Sequence, residues 1–281
     1  MKPNLDVTIG TFRAVDGTVL HYEHWSPPEI KKVLVFIHGL GDHSGRYGPF
    51  VEYFTRHGYK VCLYDQRGHG KSKGKKVYVE QFEMLLEDLD QYVTFCRQSA
   101  PEGIPWYIAG HSLGGQILLN YLAKRPSLFQ AAVASSPNLE VALQIPKWQE
   151  KLGKKLMDVW PTMKITGAAN PELLSHDPKI VKAFQKDPLV SPYVTAKMGD
   201  EILRNLETIF SLCTLMHTPL LFLHGTSDYY CSLSGTRRFY NELVLAQKAL
   251  KVYEGMYHEL FNEIIREKVF QDIDVWFEKY P

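Results

Sequence analysis

The stretch Trp106-Tyr-Ile-Ala-Gly-His-Ser-Leu-Gly-Gly115 decides the reading of this chain. Four apolar residues, Trp106 to Ala109, have the length and character of a strand buried on both faces of a parallel sheet. Gly110-His-Ser-Leu-Gly114 follows, a G-x-S-x-G pattern, and Gln116 to Lys124 reads as a helix. A serine between a buried strand and a helix needs flanking glycines, because the chain reverses there and a Cβ has no room. Such a turn lifts Ser112 Oγ above the carboxyl end of the sheet, at a helix N-terminus that favours developing negative charge.

Working outward, buried strands are expected at Lys32 to Ile37, Lys60 to Tyr64, Ala131 to Ala134, Leu220 to His224 and Ala249 to Tyr253. Helices are expected near Phe50 to Arg56, over Phe82 to Cys96, from Gly235 to Leu245 and from Ile264 to Tyr280. Strands alternating with helices specify an α/β doubly wound sheet. Ahead of it, Val7 to Ala14 and Thr18 to Trp25 alternate in polarity around Asp16-Gly17, the mark of a hairpin. The rhythm breaks between Asn138 and Cys213, where no clear buried strand is seen and prolines cut the chain into short helical pieces. The expected organisation is one sheet from residues 1–137 and 214–281, interrupted by a helical insertion at 138–213.

Composition narrows the function. The chain has 281 residues, 45% hydrophobic and 22% charged, with a formal net charge of +1. That balance fits a soluble globular protein and offers no basic field for nucleic acid. No apolar run reaches the length of a membrane span or of a signal-peptide core. Cys62, Cys96, Cys213 and Cys231 lack CxxC or zinc-ligand spacing, so reduced thiols, no metal and a cytoplasmic location are expected. Cys62 and Cys96 read as small buried apolar residues.

A serine needs a base, and the base needs an orienting acid. After a nucleophile on a turn of this kind the chain order is acid, then histidine. His176, His217, His224 and His258 follow Ser112. His176 falls in the insertion, His217 precedes a strand and His224 lies within one. His258 comes just past the strand ending at Tyr253, and Asp228 just past the strand ending at His224, both at carboxyl ends. The expected triad is Ser112, Asp228 and His258. Oxyanion donors are expected at the N–H groups of Leu113 and of Leu40, the latter in the glycine-rich loop after Ile37.

These residues resemble the monoacylglycerol lipase and lysophospholipase branch of the α/β-hydrolase family. The matching segments are His38-Gly-Leu-Gly-Asp-His-Ser-Gly-Arg-Tyr47, Asp65-Gln-Arg-Gly-His-Gly-Lys-Ser72, Gly110-His-Ser-Leu-Gly-Gly115, Asp187-Pro-Leu189, His224-Gly-Thr-Ser-Asp228 and Tyr257-His258-Glu259. The resemblance implies an eight-stranded, mostly parallel sheet with a helical cap after the sixth strand. It implies a cofactor-free serine carboxylester hydrolase that cleaves monoacylglycerol, a single-chain lipid ester, to free fatty acid and glycerol through an acyl-enzyme, with lysophospholipase or broad esterase and thioesterase activity as the alternative, and a non-catalytic binding module as the remote one. Arg46 is expected to orient polar groups near a glycerol head. An acidic residue and a tyrosine that serve glycerol in the animal enzymes correspond here to Ile180 and Phe184, leaving Glu172 or Asp177 as substitutes. His111 and Cys231 are expected beside the substrate, and Cys231 to confer sensitivity to thiol reagents. Ile145, Trp148 and Leu152, on one helical face with Leu156, Val159 and Trp160, are expected to line an acyl tunnel or touch a membrane peripherally.

Overall fold

The computed structural model describes residues 5–125, 128–142, 160–166 and 170–281. Its first two strands, β1 (Asp6–Arg13) and β2 (Val19–Ser26), form the expected antiparallel hairpin. Gly17 takes a φ of +81° at its tip, and the Asp16 carboxylate accepts from the Thr18 N–H at 2.9 Å. The parallel body comprises β3 (Lys32–Ile37), β4 (Tyr59–Tyr64), β5 (Trp106–His111), β6 (Ala131–Ser135), β9 (Leu220–Gly225) and β10 (Lys248–Tyr253). The spatial order is β1-β2-β4-β3-β5-β6-β9-β10, with antiparallel pairing only at β1–β2 and β2–β4.

The pleat divides the core in two. On β3, Val33, Val35 and Ile37 face one layer, while Leu34 and Phe36 face the other. Helices α2 (Glu83–Arg97), α3 (Leu113–Lys124) and α6 (Leu233–Glu242) cover the first face. Helices α1 (Gly48–Arg56) and α7 (Arg266–Phe277) cover the second, with Phe36, Phe50, Phe54, Phe261 and Phe270 packed ring against ring. Each fully buried ring or branched side chain contributes about 1.5–3 kcal/mol. Continuous apolar strands are the consequence, since both faces are covered.

From β3 the chain crosses to β4 on one side and later returns to β5 on the other. The crevice between the loops after β3 and β5 is therefore a topological switch point, where open α/β sheets bind ligands. Between β6 and β9 the structure differs from the purely helical expectation. Two short strands, β7 (Lys164–Thr166) and β8 (Tyr193–Thr195), pair antiparallel, with helices α4 (Pro178–Lys186) and α5 (Ala196–Thr208) around them. Three residues per strand are too few for alternation to register in sequence. The candidate residues Ile145, Trp148 and Leu152, with Leu156 and Val159, lie outside the described residues.

Candidate active site

The turn carrying Ser112 is set by backbone packing. Ser112 has φ 55° and ψ −118°, a conformation that costs a non-glycine residue about 1–3 kcal/mol. The surrounding chain enforces it. A Cβ on Gly110 would meet the Gly114 carbonyl oxygen at 2.3 Å, and one on Gly114 would meet the Ile37 carbonyl oxygen at 2.2 Å. The Ser112 N–H donates to the Ser135 carbonyl at 3.0 Å, tying the turn to the neighbouring strand.

Asp228 and His258 meet as their sequence positions predict. His258 Nδ1 lies 2.8 Å from Asp228 Oδ2, and both side chains are buried. Asp228 Oδ1 accepts from the backbone N–H groups of Tyr230 at 2.8 Å and Cys231 at 3.0 Å. Burial works against the Asp228 charge, yet His258 and His224 beside it hold the carboxyl well below the usual range. Burial likewise disfavours a charged His258, but the Asp228 carboxylate outweighs it and raises the imidazole above its ordinary value. The Ser136 hydroxyl donates to the His258 carbonyl at 2.9 Å and fixes the loop.

A residue the sequence reading set aside joins them. His224 Nε2 lies 3.0 Å from the Cys231 carbonyl oxygen and 3.3 Å from Asp228 Oδ2. Both are acceptors, so Nε2 carries the proton, and Nδ1 accepts from the Thr236 hydroxyl at 2.9 Å. His224 is fully buried and approaches the same carboxylate oxygen of Asp228 that His258 contacts. The available signal was a histidine closing an apolar strand four residues before the acid.

The loop after β3 abuts the nucleophile. A Cβ on Gly39 would stand 3.3 Å from the Ser112 Cβ. Leu40 is half-buried, and Leu113 is the first residue of α3. Neither backbone N–H donates to a carbonyl among the described residues. His38 shapes this loop: Nδ1–H donates to the Gly39 carbonyl at 2.8 Å, and Nε2 accepts from the Gln66 N–H at 2.9 Å. Asp65 accepts from the N–H groups of Ser44 and Lys71, both at 2.8 Å. The Asp65–Ser72 motif is thus a brace beneath the loop.

Arg46 does not stand open toward a ligand. Its guanidinium donates to both oxygens of Glu259 at 2.8 and 2.7 Å and to Asp42 at 3.0 Å, with the Phe184 ring 4.6 Å away. Arg46 thereby links the loop after β3 to the residue following His258. His111 is buried against the His258 ring at 4.7 Å, and burial together with His258 lowers it to about 4. Its Nδ1 is buried without a hydrogen-bond partner. The Cys231 thiol faces the Ser112 hydroxyl, as the sequence reading expected. Burial pushes that thiol well up, which opposes the expected sensitivity to thiol reagents.

Ile180 and Phe184 share one face of α4, one turn apart and half-buried. Neither proposed carboxylate substitute is a buried ligand group. Asp177 caps α4 and binds Arg266 at 3.0 Å, and Glu172 is exposed. Among the described residues, no helix is long and apolar enough to cross a membrane.

Comparison with known proteins agrees with this fold. Residues 28–265 match the family described as Serine aminopeptidase, S33. A monoacylglycerol lipase of Mycolicibacterium smegmatis is 30% identical over 95% of this chain and 95% of its own. A monoglyceride lipase of Rattus norvegicus is 30% identical over 93% of this chain and 87% of its own. The crystal structure of a Paleococcus ferrophilus monoacylglycerol lipase superposes with a TM-score of 0.82 at 29% identity, covering 98% of this chain and 100% of that one. The chain belongs to this α/β-hydrolase family, in the branch that resembles the monoacylglycerol lipases, and is a carboxylester hydrolase.

Proposed function

We propose that the protein cleaves monoacylglycerol to free fatty acid and glycerol through an acyl-enzyme on Ser112. His258 Nε2 takes the Ser112 hydroxyl proton as Oγ attacks the ester carbonyl carbon. The oxyanion accepts from the N–H groups of Leu40 and Leu113. The tetrahedral adduct collapses, and the departing glycerol oxygen takes the proton from His258. Water then attacks the acyl-enzyme with His258 again as base, and the fatty acid leaves. Asp228 orients the imidazole and stabilises its charged form. Residues 138–213 act as a cap that selects the acyl and head groups, above a core of residues 1–137 and 214–281.

The observation that carries this reading is the buried Asp228–His258 pair at 2.8 Å, on loops flanking a serine held at positive φ. A fluorophosphonate probe is expected to label the wild type and not Ser112→Ala; equal labelling of both would refute the assignment. A hydrolysis panel of monoacylglycerols, lysophosphatidylcholine, a short aryl ester and an amino-acid arylamide tests the substrate. Preference for lysophosphatidylcholine would favour the second reading, which Ile180 supports by standing where the animal enzymes carry an acid.

Peripheral contact with lipid is part of the proposal. Trp160 and Ile165, 59% and 44% exposed, border the segment expected to touch membranes. Liposome co-sedimentation of wild type against a chain lacking residues 145–160 checks it, and identical partitioning would reject docking.

A further inference from the structure

A second cluster of reactive side chains lies away from Ser112. His24 of β2 and Cys62 of β4 are direct register partners, so both side chains leave the sheet on the same face. Helix α2 packs there and supplies Cys96, whose Sγ lies 3.4 Å from His24 Nε2. The imidazole nitrogen and the two sulfurs fall within 4.8 Å of one another, and all three residues are buried. Spacing along the chain hides the group, because three different elements contribute one donor each.

We propose that His24, Cys62 and Cys96 bind one thiophilic monovalent cation, copper(I) by preference. Two thiolates and an imidazole form a soft donor set. Donors about 2.0–2.3 Å from one ion stand about 3.6 Å apart, close to the Cys96–His24 separation. Zinc favours four ligands or three plus a water. The group offers three donors among the described residues, which suits a three-coordinate ion.

Charge also fits. Binding releases one proton from each thiol to solvent, so a monovalent ion between two thiolates leaves one negative charge. Lys60 is buried nearby, its field reaches both sulfurs, and its Nζ is held by the Ser99 carbonyl and hydroxyl oxygens, each at 3.1 Å. A surface cleft of about 480 Å³ is lined by Tyr22, His24, Lys60, Phe95 and Ser99, so one of the three donors borders it. The bound ion ties the edge hairpin, β4 and α2 together.

The test is anaerobic titration of the reduced full chain with copper(I) against a chromophoric copper(I) chelator. One equivalent is expected to be withheld from the chelator, with an ultraviolet thiolate-to-copper charge-transfer band and a raised Tm. Affinity should fall at least tenfold in Cys62→Val and Cys96→Val and stay unchanged in Cys213→Ser and Cys231→Ser. Where a valine variant fails to fold, His24→Gln serves instead, with fluorophosphonate labelling of Ser112 reporting the native fold. No withheld equivalent in the wild type, or full retention by the Cys62→Val/Cys96→Val double variant, overturns the site and leaves a thiol–imidazole hydrogen bond in an apolar core. Stoichiometric zinc(II) binding without copper(I) binding overturns the choice of ion.

Discussion

The turn around Ser112 and the segment between β6 and β9 are held in place by different forces. Around Ser112, backbone meets backbone: Gly110 and Gly114 admit no Cβ, and the neighbouring strands are continuous with the core. The intervening segment packs Met198 and Ile202 on the core and joins it by backbone hydrogen bonds, Ser191 N–H to the Gly41 carbonyl and Glu259 N–H to the Leu174 carbonyl among them, and by side-chain pairs. His43 Nε2 meets Asp187 at 2.9 Å, His176 Nδ1 meets Glu263 at 2.8 Å, and Arg266 meets Asp177 at 3.0 Å. Steric exclusion leaves almost no choice of residue, whereas a polar pair can be replaced by another pair or by packing. Ser112 therefore sits on the rigid region, and Ile180 and Phe184 on the replaceable one.

The largest expected effect strikes the rigid region. Asp228→Asn should lower kcat about 10⁴-fold, because the imidazole loses its orienting acid. The sign of the pH effect follows from the raised His258. The acid limb of kcat/KM in the wild type should lie above about 6.5, since the base works only when neutral. Without the Asp228 charge, burial is opposed only by the weaker fields of Glu259 and Asp42, and the limb moves to lower pH. A pH profile with a short aryl ester checks both, and an unmoved limb contradicts the pairing.

Arg46→Met comes next. It strands Asp42 and Glu259 as buried unpaired carboxylates and should cost about 3–5 kcal/mol in denaturant unfolding. Burial opposes the charge on each, yet Arg46 holds both carboxyls below their ordinary values. Their contribution to stability is thus present above about pH 4 and disappears as the solution is acidified. A loss below 1 kcal/mol would show that the link between the two loops carries little.

His224→Leu removes a hydrogen bond to a charged acid, worth about 1.5–3 kcal/mol, and should reduce kcat/KM about 10- to 100-fold. His224→Gln, which returns an N–H donor, should recover most of it. Equal loss in both variants would make His224 a packing residue only.

The smallest effect belongs to the attached segment. Asp187→Asn weakens its pairing with His43 by about 1 kcal/mol, enough for an approximately fivefold rise in KM with kcat unchanged. A large fall in kcat would mean that this segment shapes the reaction centre itself.

Legibility followed the same division. The parallel strands, the hairpin at Asp16-Gly17, Gly110-His-Ser-Leu-Gly114 and the positions of Asp228 and His258 were readable, because burial on both faces and glycine-only turns leave direct marks in sequence. Helix ends shifted by a few residues: α3 begins at Leu113 rather than Gln116, since the helix starts at the turn itself. The strands β7 and β8 were missed because three residues show no period. Arg46 read as a ligand group, although Asp42 and Glu259 engage its guanidinium; its partner 213 residues away is invisible to local pattern.

By itself, the amino-acid order determined the sheet, its interruption and the strand–turn–helix setting of Ser112, since those depend on hydrophobic period and on steric limits expressed over a few residues. Only the tertiary structure decided that His224 backs the acid, that Arg46 bridges two loops, and that His24, Cys62 and Cys96 converge. Those are contacts between separate elements, fixed by strand register and helix packing rather than by neighbours in the chain.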